Sequence, residues 1–557
     1  MTIAMAHPPG VRLQVRCCTA SGCRLQGSDQ LWTALQRQWV RVEASPGAAL
    51  AVRAVGCLGL CGSGPLLAVD GGRCHGLYSG LSPEQIRELM ACLILDAEAP
   101  GPQAIGAGAS EGQQQPGVSA ALARRRLDPS LPFLVKQRRL VLQHCGWIEP
   151  ESIAAALAVG TYRQLLQCLD GRSPAEVRAM IRRSGLRGRG GAGYPTGLKW
   201  DRVAAQATTP KLVVANGDEG DPGAFMDRTV MESDPHRLLE GLAIAAFAVG
   251  ADRGVLFVRA EYPQAVIRLR RAIAEAEAHG LLGDTVGGRP FGLRITLRVG
   301  AGAYVCGEET ALMAAIEGRR GLPRPRPPYP ARCGLWKKPT LINNVETLAA
   351  IPAILAIGPE AYAAIGTDRS RGTKVFSLSG AIRHSGVVEV PMGISLRCLV
   401  EEIGGGAPSG RRIKAVQTGG PAGGFVPARL LDVPIAYETM ADLGTAIGSG
   451  GLVVIADDTS IPELVAHFLR FCASESCGKC VPCRAGTVQL VQLLEQLRAG
   501  EGVGAQALPL ARLAELATMV RACSLCGLGQ GAPNPLLSSL RHFQAEYVPG
   551  TGSGADR

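Results

Sequence analysis

The stretch ESCGKCVPCRAGT, residues 475–487, carries thiols at Cys477, Cys480 and Cys483, one at every third position. A second stretch, CSLCGLG, begins forty residues after Cys483 and adds Cys523 and Cys526. A compact loop can present three thiolates to one small inorganic core while a distant segment supplies the fourth, as a cubane iron–sulfur cluster requires. Cys526 is the preferred fourth ligand because its Gly-rich turn suits close backbone approach, with Cys523 as the alternative. A zinc site from two cysteine pairs is the competing reading; three cysteines already standing together weigh against it. Around these thiols the text is helical: IPELVAHFLRFCASES, GTVQLVQLLEQLRAG, LPLARLAELATMVRAC and NPLLSSLRHFQAEYV each carry a helical apolar spacing. Residues 458–557 are therefore expected to form a helical bundle with cysteines at helix ends. Cys472 falls inside an apolar helix pattern and reads as core.

Upstream, residues 371–457 are strand-like and rich in turns (KVFSLSGAI, GVVEVPMG, GLVVIA) and suit a small β-grasp-like module. Residues 130–370 read as a Rossmann-like α/β region with strands at KLVVAN, GVLFVRA and LRITLRVG. It contains SGLRGRGGAGYPTGLKW, a formal G-x-G-x-x-G at Gly188, Gly190 and Gly193. The dinucleotide fingerprint needs a strand just before that loop. Here PAEVRAMIRRSG precedes it and reads as a helix, so the ordinary fingerprint is excluded. What remains is a loop of bare amides (Gly188, Gly190, Gly191, Ala192, Gly193) flanked by Arg187, Arg189 and Lys199. Such a loop suits phosphates and a flat ring system.

Two further motifs follow strands. VVANGDEGDPGAFMDR sets Asn216, Asp218 and Glu219 at a carboxyl end, where α/β sheets gather ligands, although a solvated turn would read the same. LRVGAGAYVCGEETALMAAIEG reads as strand, Gly loop and helix, with Glu308 and Glu309 at the helix start. Dipole complementation accounts for one of these acids. The pair beside a Gly loop points to a carboxylate near a cationic nicotinamide. Cys306 reads as a packed thiol. RPRPPYP brings Arg326 and Tyr329, and INNVET brings Asn343, Asn344 and Thr347. Paired Asn side chains can read the donor–acceptor edge of an isoalloxazine ring.

Residues 1–95 read as a small α/β unit and 96–129 as a flexible linker rich in Gly, Ala, Gln and Pro. The unit carries Cys18-x4-Cys23 and Cys57-x3-Cys61. Two pairs on two Gly-rich loops suit a two-iron cluster whose sulfurs accept from nearby amides. Zinc is the rival, and Cys17 is the alternative to Cys18. Cys74 reads as structural.

The chain has 557 residues, 18 of them Cys, and a net charge of +11. Length allows several domains. Arg is spread along the chain with no basic run interleaved with aromatics, so a nucleic-acid partner is not expected. MTIAMAHPPGVR lacks the apolar region of a secretion signal, and no apolar run reaches the length of a membrane span. A reducing, cytoplasmic setting is expected, peripheral to a membrane only through partners.

GRGGAGYPTGLKW, NGDEGDPGAF, GAYVCGEETAL, INNVET and ESCGKCVPCR with SLCGLG together resemble the flavin-bearing, NADH-binding 51 kDa subunit of respiratory complex I and its relatives. The resemblance covers roughly residues 170–545. The N-terminal segment resembles the thioredoxin-like 2Fe–2S ferredoxin domain, and the fusion is most similar to the diaphorase subunits of bidirectional NAD-linked nickel–iron hydrogenases. The resemblance implies FMN, NAD(H), a 4Fe–4S and a 2Fe–2S cluster as cofactors, and other diaphorase and hydrogenase subunits as partners. It implies reversible hydride transfer between NAD(H) and FMN, then single-electron transfer to a partner. The alternatives are the equivalent subunit of complex I or of an NAD-dependent formate dehydrogenase, or a non-catalytic relay. It also implies that the Gly188–Gly197 loop and Lys199 cradle NADH and the phosphate side of FMN. Asn216, Asp218, Glu219, Asn343, Asn344 and Thr347 would hold FMN, and Tyr304, Gly307, Glu308 and Glu309 would line the flavin and nicotinamide site. Tyr194 and Tyr329 stand where the family usually has Phe, and Arg326 where it often has Lys.

Overall fold

The computed structural model describes residues 12–43, 50–98, 118–499 and 507–547. Three sheets follow one another along the chain, and a helical region closes it. The first sheet has the order β2-β1-β3-β4, from β1 (Leu13–Cys18), β2 (Leu50–Val55), β3 (Leu66–Asp70) and β4 (Gly76–Ser79). Every residue of β1 is buried. Its side chains alternate between faces, which sends Cys17 into the core under the helices Ser28–Glu43 and Pro83–Glu98 and Cys18 into a different core. Most of the expected linker, 99–117, lies outside the described residues. Residues 118–127 are not free: Leu122 is buried in the first core and the Leu127 amide donates to Leu77 O at 2.7 Å.

The second sheet is parallel throughout, in the order β7-β6-β5-β8: β5 (Lys211–Gly217), β6 (Ala251–Arg259), β7 (Arg294–Gly300), β8 (Thr340–Asn344). Parallel strands need crossovers on the sheet faces, and the helices Pro235–Val249 and Val345–Ile357 pack there. They touch backbone to backbone at Gly241, where a Cβ would stand 2.1 Å from Leu348 O. Register puts Ala215 beside Asn343 and Asn216 beside Asn344, so two motifs far apart in sequence end together at the carboxyl edge.

The third sheet, β10-β9-β13-β11-β12, is mixed: β9 (Thr373–Gly380) pairs parallel with β13 (Gly451–Ala456) and antiparallel with β10 (Gly386–Pro391). β11 (Ile413–Thr418) pairs antiparallel with β12 (Gly424–Pro427). The helices Ile461–Ser474, Val481–Arg498, Ala507–Cys523 and Asn534–His542 share one apolar core.

The first sheet is seated on the rest through its cysteine loops. The Cys57 amide donates to Ser233 Oγ at 2.9 Å, and the Val387 amide of β10 donates to Gly59 O at 2.8 Å. Buried Arg268 donates to Thr19 Oγ1 at 2.7 Å, and buried Glu232 accepts from the Ser21 amide at 2.8 Å.

Candidate functional site

The helix Pro174–Ser184 stops at Gly185, whose φ of 65° is the left-handed conformation glycine supplies at a helix end. The Gly loop follows directly. Gly188 N donates to Tyr194 O at 2.8 Å, and Arg189 N to Thr347 Oγ1 at 2.8 Å. A Cβ on Gly190 would sit 2.9 Å from the Asn344 Cβ, so only a bare backbone fits there.

This loop and the carboxyl edge of the second sheet enclose a cavity of about 570 Å3. Gly188, Gly190, Ala192, Gly193, Tyr194, Lys199, Asn216, Asp218, Glu219, Tyr304, Gly307, Glu308, Glu309, Arg326, Tyr329, Asn343 and Asn344 line it. Three expected residues do not. Gly191 packs against Gly448. Thr347 holds the loop by its hydroxyl, and the buried Arg189 guanidinium turns inward to Tyr362 Oη (3.2 Å) and Arg371 O (2.6 Å).

Several lining groups are already engaged. Glu219 accepts from the Asp227 and Arg228 amides, each at 3.0 Å, and so caps the helix Met226–Ser233. Glu308 caps Glu309–Ile316 through the Thr310 and Ala311 amides, both at 2.9 Å. Asn343 accepts from Trp200 Nε1 at 3.0 Å, and Asn344 donates to Asp227 Oδ2 at 2.5 Å. Lys199 pairs with Glu309, which also stands 3.8 Å from Arg326. Asp218 differs: its Oδ2 is buried with no partner. Burial pushes this carboxyl up to about 7; Glu261 and Glu475 add to that and Arg259 opposes it. Burial raises Asp221 and Asp227 as well, Asp227 with help from Glu219 and Glu346. Near neutrality these acids shed part of the charge that would repel an anionic dinucleotide.

The lining also includes Arg202, Asp221, Asp227, Ser449, Gly527 and Leu528, none of which the sequence motifs singled out. Asp227 sits inside the quoted acidic stretch and was the one within reach of sequence reasoning. Gly527 and Leu528 come from the CSLCGLG turn and bring the C-terminal region to the cavity wall.

Beyond that wall, Cys477, Cys480, Cys483 and Cys526 line one small cavity together with Ser476, Lys479, Val305 and Leu528. Cys480 and Cys526 each precede a helix, and the Leu528 and Gly529 amides point at the Cys526 sulfur. Cys523 is exposed at the end of Ala507–Cys523 and lies outside this cavity. Cys472 is buried at the edge of the helical core, its thiol 3.8 Å from Pro421 O.

At the other site, Cys57 Sγ and Cys61 Sγ are 3.5 Å apart, and Cys18 interacts with both Cys23 and Cys57. The Gly59 amide donates to Cys57 Sγ at 3.3 Å. Cys17 and Cys74 are packed in the first core instead. Among the described residues no three His, Cys, Asp or Glu side chains are arranged to hold a single metal ion.

The donor sets fit their groups: four thiols with aimed amides at each cysteine site, and bare amides, Lys199 and an unpartnered carboxylate around the large cavity. Comparison with known proteins agrees. Residues 181–353 match the Nuo51 FMN-binding domain, 463–549 the NADH-ubiquinone oxidoreductase-F iron-sulfur binding region, and 5–93 the thioredoxin-like 2Fe–2S ferredoxin. The NADP-reducing hydrogenase subunit HndC of Solidesulfovibrio fructosivorans is 49% identical over 412 residues, 74% of this chain and 83% of that protein.

The chain belongs to the Nuo51 family of flavin-binding oxidoreductase subunits.

A Nuo51-type NADH-quinone oxidoreductase subunit from Rhizobium meliloti is 45% identical over 391 residues, 70% of this chain and 92% of its own length. The solved NAD+-reducing nickel–iron hydrogenase in its H2-reduced state aligns with a TM-score of 0.64 at 30% identity, over 97% of this chain and 84% of the solved one. As a member of the Nuo51 family, the chain is an NAD(P)-dependent oxidoreductase subunit with domains for FMN, a 4Fe–4S and a 2Fe–2S cluster. No helix among its described residues is long and apolar enough to cross a membrane.

Proposed function

We propose that this chain exchanges electrons between NAD(H) and a partner subunit, and that the partner is a nickel–iron hydrogenase module. One observation carries the wiring: Val305 and Leu528 line both the nucleotide cavity and the four-thiol cavity. These two apolar side chains form a shared wall that keeps the two sites close while excluding water between them.

The chemistry FMN supplies, when bound, is the exchange of a hydride with NAD(H) for single electrons that iron–sulfur clusters carry. The chain's residues bind and orient. The Gly188–Gly193 amides and Lys199 would neutralise phosphate. Asp218, with its free oxygen, would accept from a ribose hydroxyl or a ring N–H. Tyr194 and Tyr329 offer ring faces for stacking. Glu309, held by Lys199, would stand near the nicotinamide, with Glu308 fixing the start of its helix. Cys477, Cys480, Cys483 and Cys526 would hold the cubane cluster, and Cys18, Cys23, Cys57 and Cys61 the two-iron cluster. We also propose the domain limits 1–95, 130–370, 371–457 and 458–557, and a cytoplasmic setting suited to eight ligand thiolates.

The hydrogenase partner is favoured by the name of the Solidesulfovibrio relative and by a solved hydrogenase chain matched along 97% of this one. Anaerobic purification of the complex tests the reading. NADH should bleach bound flavin and produce reduced-cluster EPR signals, and nickel should co-purify. A flavin- and iron-loaded chain that NADH leaves unchanged would sink the electron-exchange reading. Molybdenum or a quinone-reducing assembly in place of nickel would replace the partner alone.

A further inference from the structure

Between Glu317 and Glu346 the sequence has no Asp or Glu and seven cations: Arg319, Arg320, Arg324, Arg326, Arg332, Lys337 and Lys338. The fold gathers several of them around one open groove of about 920 Å3, lined by Arg319, Arg320, Arg324, Lys337, Trp336 and Lys479 among others. Lys479 stands between Cys477 and Cys480 and lines the four-thiol cavity as well, so the groove reaches the cluster site.

The charge in this groove is largely uncancelled. Arg320 donates to Cys477 O at 3.1 Å, Arg324 to Cys333 O, and Lys479 to Pro323 O at 2.6 Å. Those partners are carbonyls, which satisfy the donors and leave the positive charge in place. Glu317 is the single carboxylate in the lining; it pairs with Arg319 and accepts from the Trp336 amide at 2.6 Å. Trp336 is itself unusual. Its φ of 48° is a conformation that aromatic residues rarely adopt, Lys337 follows at 63°, and the indole is 51% exposed. A half-exposed Trp in a held, strained turn, ringed by cations, is the form of an interface anchor.

We propose that this groove docks an acidic one-electron carrier: a protein domain with its own redox centre in a rim of Asp and Glu. The inference rests on the electron-exchange reading above. Charge complementarity argues for the occupant, since one sign of charge beside a redox site steers an oppositely charged partner and sets its orientation. Contact through Lys479 puts such a carrier against the cluster's own loop. In the downhill direction two reduced carriers, NAD+ and one proton give two oxidised carriers and NADH, one electron leaving each carrier.

The test uses the full chain loaded with flavin and clusters, and a plant-type 2Fe–2S ferredoxin as the acidic probe. Prereduced ferredoxin and NAD+ should yield NADH at a rate that falls steeply with salt. Lys337→Glu, alone and with Arg319→Glu, should lower that rate about tenfold at low salt, mainly by raising the KM for ferredoxin. NADH reduction of ferricyanide, a small acceptor, should be unchanged. A wild-type rate indifferent to salt, no exchange with ferredoxin, or variants with unaltered KM would overturn the docking site while ferricyanide reduction still upheld the functional reading. If the double variant loses flavin, the single variant and the salt series decide. Absence of NADH–ferricyanide activity in the loaded wild type would instead remove the reading beneath it.

Discussion

Lys199, in the first turn of the helix Thr196–Ala204, reaches across the nucleotide cavity to pair with Glu309, the first residue of Glu309–Ile316. Both side chains are about one quarter exposed, and Lys199 also donates to Ile342 O at 2.8 Å. The pair ties the Gly loop's helix to the second glycine motif, so each carries part of the other's geometry. Lys199→Met leaves Glu309 only the distant Arg326. We expect the KM for NADH to rise roughly tenfold, about 1.4 kcal/mol, with flavin retained. Steady-state NADH–ferricyanide kinetics measure it.

Asp218 gives a pH signature. Its carboxyl is pushed up to about 7 by burial, whereas in an unfolded chain it titrates near ~3.9. Between those values the folded chain holds a proton that the unfolded chain has released. Stability therefore falls as pH rises through that window. Asp218→Asn removes this group's share, so the unfolding midpoint of the flavin-free chain should drop less than that of wild type between about pH 5 and pH 7. Equal slopes in parallel urea series would contradict the assignment. Glu240, also raised to about 7 by burial, stays as a common background in both proteins.

Much of this was legible in the sequence, and the reasons for the rest are physical. The strands and the helix before the Gly loop follow from local period, so the exclusion of the ordinary dinucleotide fingerprint stood on residues 174–185 alone. Alternation along β1 says that Cys17 and Cys18 face opposite ways; which face meets Cys57 is decided only by packing against the third sheet. Ser449, Gly527 and Leu528 join the cavity from segments more than two hundred residues from the Gly loop, and no local pattern reports such a closure. Arg189 sits in a cationic loop, yet Tyr362 and Arg371 O draw its guanidinium into the core.

The seating of the first sheet depends on one buried carboxylate. Glu232 accepts from the Ser21 amide and hydroxyl, and Arg268 from the same side donates to Glu232 O at 2.6 Å. Glu232→Ala strands the Ser21 donors in a dry seam at a cost of about 1–3 kcal/mol. The loss should appear first as earlier proteolysis between the first and second sheets, ahead of global unfolding by urea. Glu232→Gln, which keeps an acceptor, should recover most of it.

The two terminal cysteines separate by position alone. Cys526 is buried, shares a cavity with Cys477, Cys480 and Cys483, and has two amides aimed at its sulfur; Cys523 is exposed on a helix end. A serine hydroxyl is a poor substitute for a thiolate on iron. Cys526→Ser should therefore lose or cripple the four-iron EPR signal and abolish NADH-driven reduction of the partner, while the flavin in its separate cavity still bleaches with NADH. Cys523→Ser should keep the signal, the iron content and the partner rate of wild type. If the two variants exchanged these outcomes, the fourth ligand would be Cys523, and the CSLCGLG turn would have to rotate to bring that helix end over the cavity that Leu528 now closes.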